Sequence, residues 1–126
     1  MPLPVEHYVG AWKESAWIRD ALAEWQLDRK TGGGDSALAY RLDRSSEESP
    51  DSAIALLVSL AEHSSPEDRV DLAERLEWLL QKHGAVYWDV LNALCGRVPQ
   101  FRAVMANVWG ASLPKDLKRK VEMWRS

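Results

Sequence analysis

The amino-acid sequence predicts an all-α protein, a single compact helical domain spanning residues 1–126. It is expected to hold about six to eight short helices, arranged either as an irregular bundle or as a short α-solenoid of antiparallel pairs. Three observations predict this. Apolar residues recur at i, i+3, i+4 and i+7 along most of the chain. No segment of useful length alternates with period two, so a sheet has no sequence to build it. Helix start and stop signals, proline after a serine before a stripe and glycine after one, return several times.

The first stripe is Val5, Tyr8, Val9 and Trp12, followed by Ile18, Leu22 and Trp25. It predicts one long helix over about 4–28, or two with a break near Glu14-Ser15. The run TGGGD then ends it, because three successive glycines lose too much backbone entropy to stay helical. Asp35 or Ser36 caps a short helix over roughly 36–44. Loops are expected at 29–35 and 43–50, the second of them polar and acidic. Ser49 and Pro50 start the next helix, whose stripe is Ile54, Leu57, Val58 and Ala61, ending near His63. Ser65-Pro66 with Glu67-Asp68 repeats the start signal, and that helix is expected to run to Gly84. Tyr87, Val90, Leu91, Leu94 and Cys95 predict another, closed at Gly96. Phe101, Val104, Met105, Val108 and Trp109 predict a further one, closed at Gly110. Leu117, Val121 and Trp124 form the last, entered through Pro114.

Composition narrows the function classes. The chain is 46% apolar and 28% charged, ordinary for a globular protein, and no apolar run nears the ~20 residues that cross a bilayer. The start, MPLPVEHYVG, has no basic leader or apolar h-region, so the expectation is a cytoplasmic protein without a membrane partner. One cysteine allows neither an internal disulfide nor a cysteine-based zinc site. Residues 1–63 carry 6 Lys/Arg against 11 Asp/Glu, and residues 64–126 carry 10 against 8. A nucleic-acid partner needs a continuous basic excess, which this balance does not supply. The cluster Lys115, Lys118, Arg119, Lys120 and Arg125 reads as a solvated helix face.

The stretch LAERLEWLLQKHG, then YWDV, then VPQFRAVMANVW, resembles an uncharacterised bacterial family of small helical proteins. The matching positions are Leu76, Glu77, Leu79, Leu80, His83, Gly84, Asp89, Phe101, Arg102, Val108 and Trp109. Phe-Arg to Val-Trp is the most specific part, and the likeness covers a little under half of the chain. It departs from the pattern at Glu74-Arg75, where the family has Gly-Pro, and at Trp78, where it has an acid. The resemblance implies a helical fold and a bacterial origin, and brings no activity with it.

The stretch ERLEWLLQKHG, Glu74 to Gly84, holds the residues that invite chemistry. On a helix His83 projects with Leu72, Leu76, Leu79 and Leu80, so it is expected to look inward and, one residue before a glycine cap, to bond a carbonyl or pair with a nearby acid. Glu77 lies about 120° away from it, which suits an interhelical ion pair with Arg102 or Arg97. Glu77, His83, Arg102 and Trp109 are therefore read as structural. Trp78 falls with Asp71, Glu74, Arg75 and Lys82 on the charged face and is offered to a partner or covered by another helix. Trp17 has a similar position and is expected to be covered, while Trp12, Trp25, Trp88, Trp109 and Trp124 are expected in the core. His7, His63 and His83 have no ligand at metal-binding spacing, and no P-loop, GxGxxG or GxSxG is present, so neither metal nor cofactor is expected.

These readings favour a non-enzymatic protein-binding module, most concretely a bacterial immunity protein that neutralises a cognate toxin by steric occlusion. Its partner-facing residues would be Trp78, Glu74 and Asp71 with the acids Asp43, Glu47, Glu48 and Asp51, and its partner a protein rather than a small molecule. The alternatives are a small enzyme using Glu77, His83, Asp89 and Arg102, and a phage-type inhibitor or adaptor.

Overall fold

The structure, a computed structural model, describes residues 3–31 and 49–124. Every regular element among them is helical. Two 3₁₀ turns, Val5–His7 and Ala11–Lys13, precede α1 (Ala16–Thr31). Then come α2 (Pro50–Glu62), a 3₁₀ turn (Pro66–Asp68), α3 (Arg69–Arg97), α4 (Pro99–Ala106) and α5 (Lys115–Glu122). The expected helix at 36–44 and the acids Asp43, Glu47 and Glu48 lie outside the described residues.

The N-terminal stripe is interrupted where Glu14-Ser15 predicts. Gly10 takes φ 64°, a left-handed conformation that ends the first turn. Ser15 Oγ then accepts the Ile18 amide at 3.3 Å and caps α1. Ser49 caps α2 by accepting the Ser52 amide, with Pro50 at its first position as the sequence indicates. From Ala53 to Ala61 every residue of α2 is buried, not only the four of the predicted stripe. A helix apolar on all sides has neighbours on all sides. α1, α3, α4 and the second 3₁₀ turn surround it.

Gly84 corrects the sequence reading, because it does not end a helix. α3 runs unbroken for 29 residues and joins what periodicity divides in two. A β-carbon at Gly84 would lie 2.8 Å from Leu117 Cδ1, so this glycine serves the close approach of α5. Gly96 is likewise internal to α3, which stops at Val98, extended at φ −119° and ψ 103°. The residue before a proline is pushed out of helical geometry, and Pro99 follows. These mergers leave five α-helices among the described residues.

α5 lies along α3 and runs the same way. Leu117 meets Gly84, the Lys120 ammonium sits 6.0 Å from the Trp88 ring, and Trp124 Nε1 donates to Asn92 Oδ1 at 3.0 Å. Both sets of numbers rise together. α5 thus covers the C-terminal half of one α3 face and leaves the N-terminal half to another wall.

Candidate functional site

That wall is the connection between α4 and α5. Together with α3 it bounds an open groove of about 260 Å³, lined from α3 by Val70, Ala73, Glu74, Glu77, Trp78 and Gln81 and from the connection by Asn107, Trp109 and Ser112. Successive residues of a helix turn by about 100°, which puts the α3 lining within one arc of roughly 140°.

Glu77 builds the groove. Its Oε1 accepts the Gly110 amide at 2.8 Å and its Oε2 accepts the Ser112 hydroxyl at 2.7 Å. Burial alone would push this carboxyl up, but the hydrogen bonds from Gly110 and Ser112 outweigh it and hold the group below its ordinary range. The expected pair of Glu77 with Arg102 or Arg97 is not formed. Arg102 is exposed on α4, and Arg97 bonds Glu6 at 2.8 Å. A backbone amide takes the place of the arginine: the N–H of Gly110, a residue in the left-handed region at φ 78°, meets Glu77.

Trp109 is a second correction. Expected in the core, it is 75% exposed, while its neighbour Val108 is buried. α4 ends at Ala106 with Asn107 as its cap, so the helical period no longer applies two residues on. Trp17, expected to be covered, is 39% exposed. Trp25 and Trp88 are buried as predicted, with Trp12 and Trp124 packed against the core.

Trp78 is half-buried, with the ammonium of Lys82 from the next turn 4.0 Å from its ring centroid. This face of the indole is attractive to cations. Asp71 and Glu74 are exposed beside it. Asp51, expected to face a partner, is turned inward instead. It accepts hydrogen bonds from the Tyr8 hydroxyl and, at 3.4 Å, from the Tyr87 hydroxyl. Burial first, then the bond to Asp51, pushes the Tyr8 phenol well above its ordinary value. These bonds tie the half-buried Asp51 carboxylate to the N-terminal turns and α3.

His83 is half-buried, its ring edge-on to Tyr87 with centroids 6.2 Å apart. With α3 continuous, no glycine cap follows it. The same continuity separates the enzyme set. Glu77, His83 and Asp89 stand six residues apart in turn, so they point in three directions about 120° from one another and span about 18 Å. General acid–base work needs such groups within hydrogen-bond reach of one substrate. Among the described residues no group of three His, Cys, Asp or Glu is placed to hold a metal ion. Burial pushes the Cys95 thiol up to about 12, against the pull of Arg102, which leaves it a packed thiol rather than a nucleophile.

A second cleft, about 490 Å³, lies between the N-terminal turns and α2. Several of its polar groups are already spent. Glu62 accepts the Gly10 amide, Glu6 holds Arg97, and Ser15 caps α1. The Trp78–Trp109 groove is the better candidate, because it combines exposed aromatic surface with acids that remain at the surface. No family model matches the chain, and no curated protein or solved structure is significantly similar to it.

Proposed function

We propose that this chain is a non-enzymatic protein-binding module that acts by occlusion, with a bacterial immunity protein directed at a toxin as its most concrete form. One observation carries the proposal: the indole of Trp109 stands three-quarters exposed on the rim of a groove that also presents Trp78 and Glu74. Covering such an indole removes on the order of 150 Å² from water, worth roughly 4 kcal/mol by area before the costs of association. Tryptophan is also among the residues that dominate binding hot spots. Asp71 and Glu74 add negative charge that favours a basic partner and speeds its approach. The proposed contact surface is therefore Trp78, Trp109, Glu74 and Asp71. Asp43, Glu47 and Glu48 belong to the same acidic surface only as an expectation from sequence.

The test is capture of the partner from the native host with the full chain, then titration of that purified partner. Trp109→Ala should weaken the complex at least tenfold, and Glu74→Lys should slow association at low salt. A partner bound equally well by wild type and both variants would show that this groove is not the contact.

A further inference from the structure

The charged lining of the groove is of one sign. Glu74 and Glu77 are both acids, and no cation lines either wall. Glu77 keeps its negative charge through the bonds from Gly110 and Ser112, which also spend the Ser112 hydroxyl as a donor. Asn107 donates its side-chain amide to the Ala103 carbonyl at 2.8 Å and keeps its side-chain oxygen as an acceptor. The donors on Gln81 and the indoles are neutral, so the lining carries a net negative charge.

The cations of this surface stand outside the groove. By projection along α3, Asp71, Lys82 and Arg75 fall about 20°, 40° and 60° past Trp78, on the side away from Glu77, so the indole stands between them and the two lining acids. Lys118 approaches from α5, with its Cγ 3.2 Å from where a β-carbon of Gly110 would lie, and it does not line the groove either. Lys82 shows what the indole accepts. Its ammonium lies 4.0 Å from the Trp78 ring centroid.

We propose that the groove receives one arginine side chain of the partner protein, its guanidinium set against the indoles of Trp78 and Trp109 and bonded to the Glu74 carboxylate. This rests on the binding reading above and names the chemistry of its partner. Size is the first argument: about 260 Å³ lies below the roughly 300–1,000 Å³ of pockets that hold drug-sized ligands, and suits a single side chain. That side chain enters from solvent across α3, because the connection at Gly110 and Ser112 closes the line toward α5. Charge and hydrogen bonding are the second. A guanidinium carries five donors and no acceptor, which complements Glu74 and the Asn107 oxygen, and its planar shape stacks on an indole as a lysine ammonium cannot.

The experiment uses the full chain and capped tripeptides Gly-Xaa-Gly in which Xaa is arginine, citrulline, lysine or leucine. Indole ¹H–¹⁵N signals, assigned with Trp78→Phe and Trp109→Phe, report the site. The arginine peptide should shift the Trp78 and Trp109 signals saturably and leave Trp25 in place. Citrulline, of the same shape without the charge, should bind at least tenfold more weakly, and Glu74→Gln should cost the arginine peptide at least fivefold. Lys82→Gln, which removes the resident ammonium from Trp78, should tighten it. Equal or better binding of citrulline or leucine overturns the proposal, as does the absence of a saturable shift with arginine. So does a shift of the same indoles with protein concentration alone, which would report a second copy of the chain in the groove. If the natural partner loses affinity with Trp109→Ala while the arginine peptide does not bind, the groove remains the contact and the arginine occupant is refuted. If the arginine peptide binds as stated while the partner is indifferent to Trp109→Ala, the guanidinium site stands and the occlusion reading falls.

Discussion

Glu77 is the residue on which the groove depends, and its removal has a calculable effect. Its carboxylate accepts a 2.8 Å bond from the Gly110 amide and a 2.7 Å bond from the Ser112 hydroxyl. Hydrogen bonds to a charged acceptor contribute about 1.5–3 kcal/mol each, and partial exposure of the carboxylate reduces that figure. Glu77→Ala also leaves the amide of buried Gly110 without its acceptor, a further penalty of about 1–3 kcal/mol. Because these contributions overlap, the expected loss is about 2–3 kcal/mol. With a urea slope of about 2 kcal/mol/M, the midpoint should fall by about 1–1.5 M. Glu77→Gln keeps one carbonyl acceptor but no charge, and should lose about 1 kcal/mol. The sign with pH follows from a folded pKa held below the ordinary 4.5. Wild type keeps this stabilisation above the unfolded value and loses it as pH falls through 4.5 toward the folded value. Urea titrations at about pH 7 and pH 3.5 should therefore show the gap between wild type and Glu77→Gln narrowing in acid. Equal midpoints at pH 7, or a gap that widens in acid, would refute the role assigned to this carboxylate.

The packing of α5 is tested at Gly84. Gly84→Ala gains about 1 kcal/mol of helix propensity, but its methyl meets Leu117 Cδ1 at 2.8 Å. Overpacking of about 1–3 kcal/mol should lower thermal stability, with the penalty relieved in Gly84→Ala/Leu117→Ala by a double-mutant cycle. Tyr8→Phe removes the hydroxyl that joins Leu3 and Asp51, and should lower stability by about 1–2 kcal/mol in urea unfolding. Cys95 is buried with its thiol raised to about 12, so a thiol reagent at pH 8 should label it only at the rate at which the protein opens. Trp109→Ala should leave the unfolding free energy in urea within about 0.5 kcal/mol of wild type, whereas Trp25→Ala, in the core, should lose about 3–5 kcal/mol.

Much of the fold was legible because apolar periodicity and Ser-Pro starts are local signals. Ser49-Pro50 begins α2 and Ser65-Pro66 begins the turn before α3, each where its hydroxyl and proline indicate. Glycine was the misleading signal. Gly84 reads as a stop along the chain, yet its cause is a leucine 33 residues later, and local pattern carries no trace of that contact. Proline was the better punctuation, since Pro99 sets the end of α3 two residues beyond it. The site was less legible for the same reason. Trp78 and Glu74 could be placed on a polar face by projection alone. Trp109 escapes because the helical period does not extend past Ala106, the end of its helix, and Glu77 meets a backbone amide that no side-chain pairing rule predicts.

One long helix thereby explains both what the protein displays and what it does not assemble. A break at Gly84 would have let the segment carrying Asp89 fold back toward Glu77 and His83. Continuity instead spreads those groups around and along a straight rod, while it extends a single face from Val70 to Asn92. The chain's own α5 occupies the half of that face made close-fitting by glycine. The α4–α5 connection meets the other half at Glu77 and leaves Trp78 and Trp109 flanking an open groove, and this division of one surface is what supports a reading of recognition over catalysis.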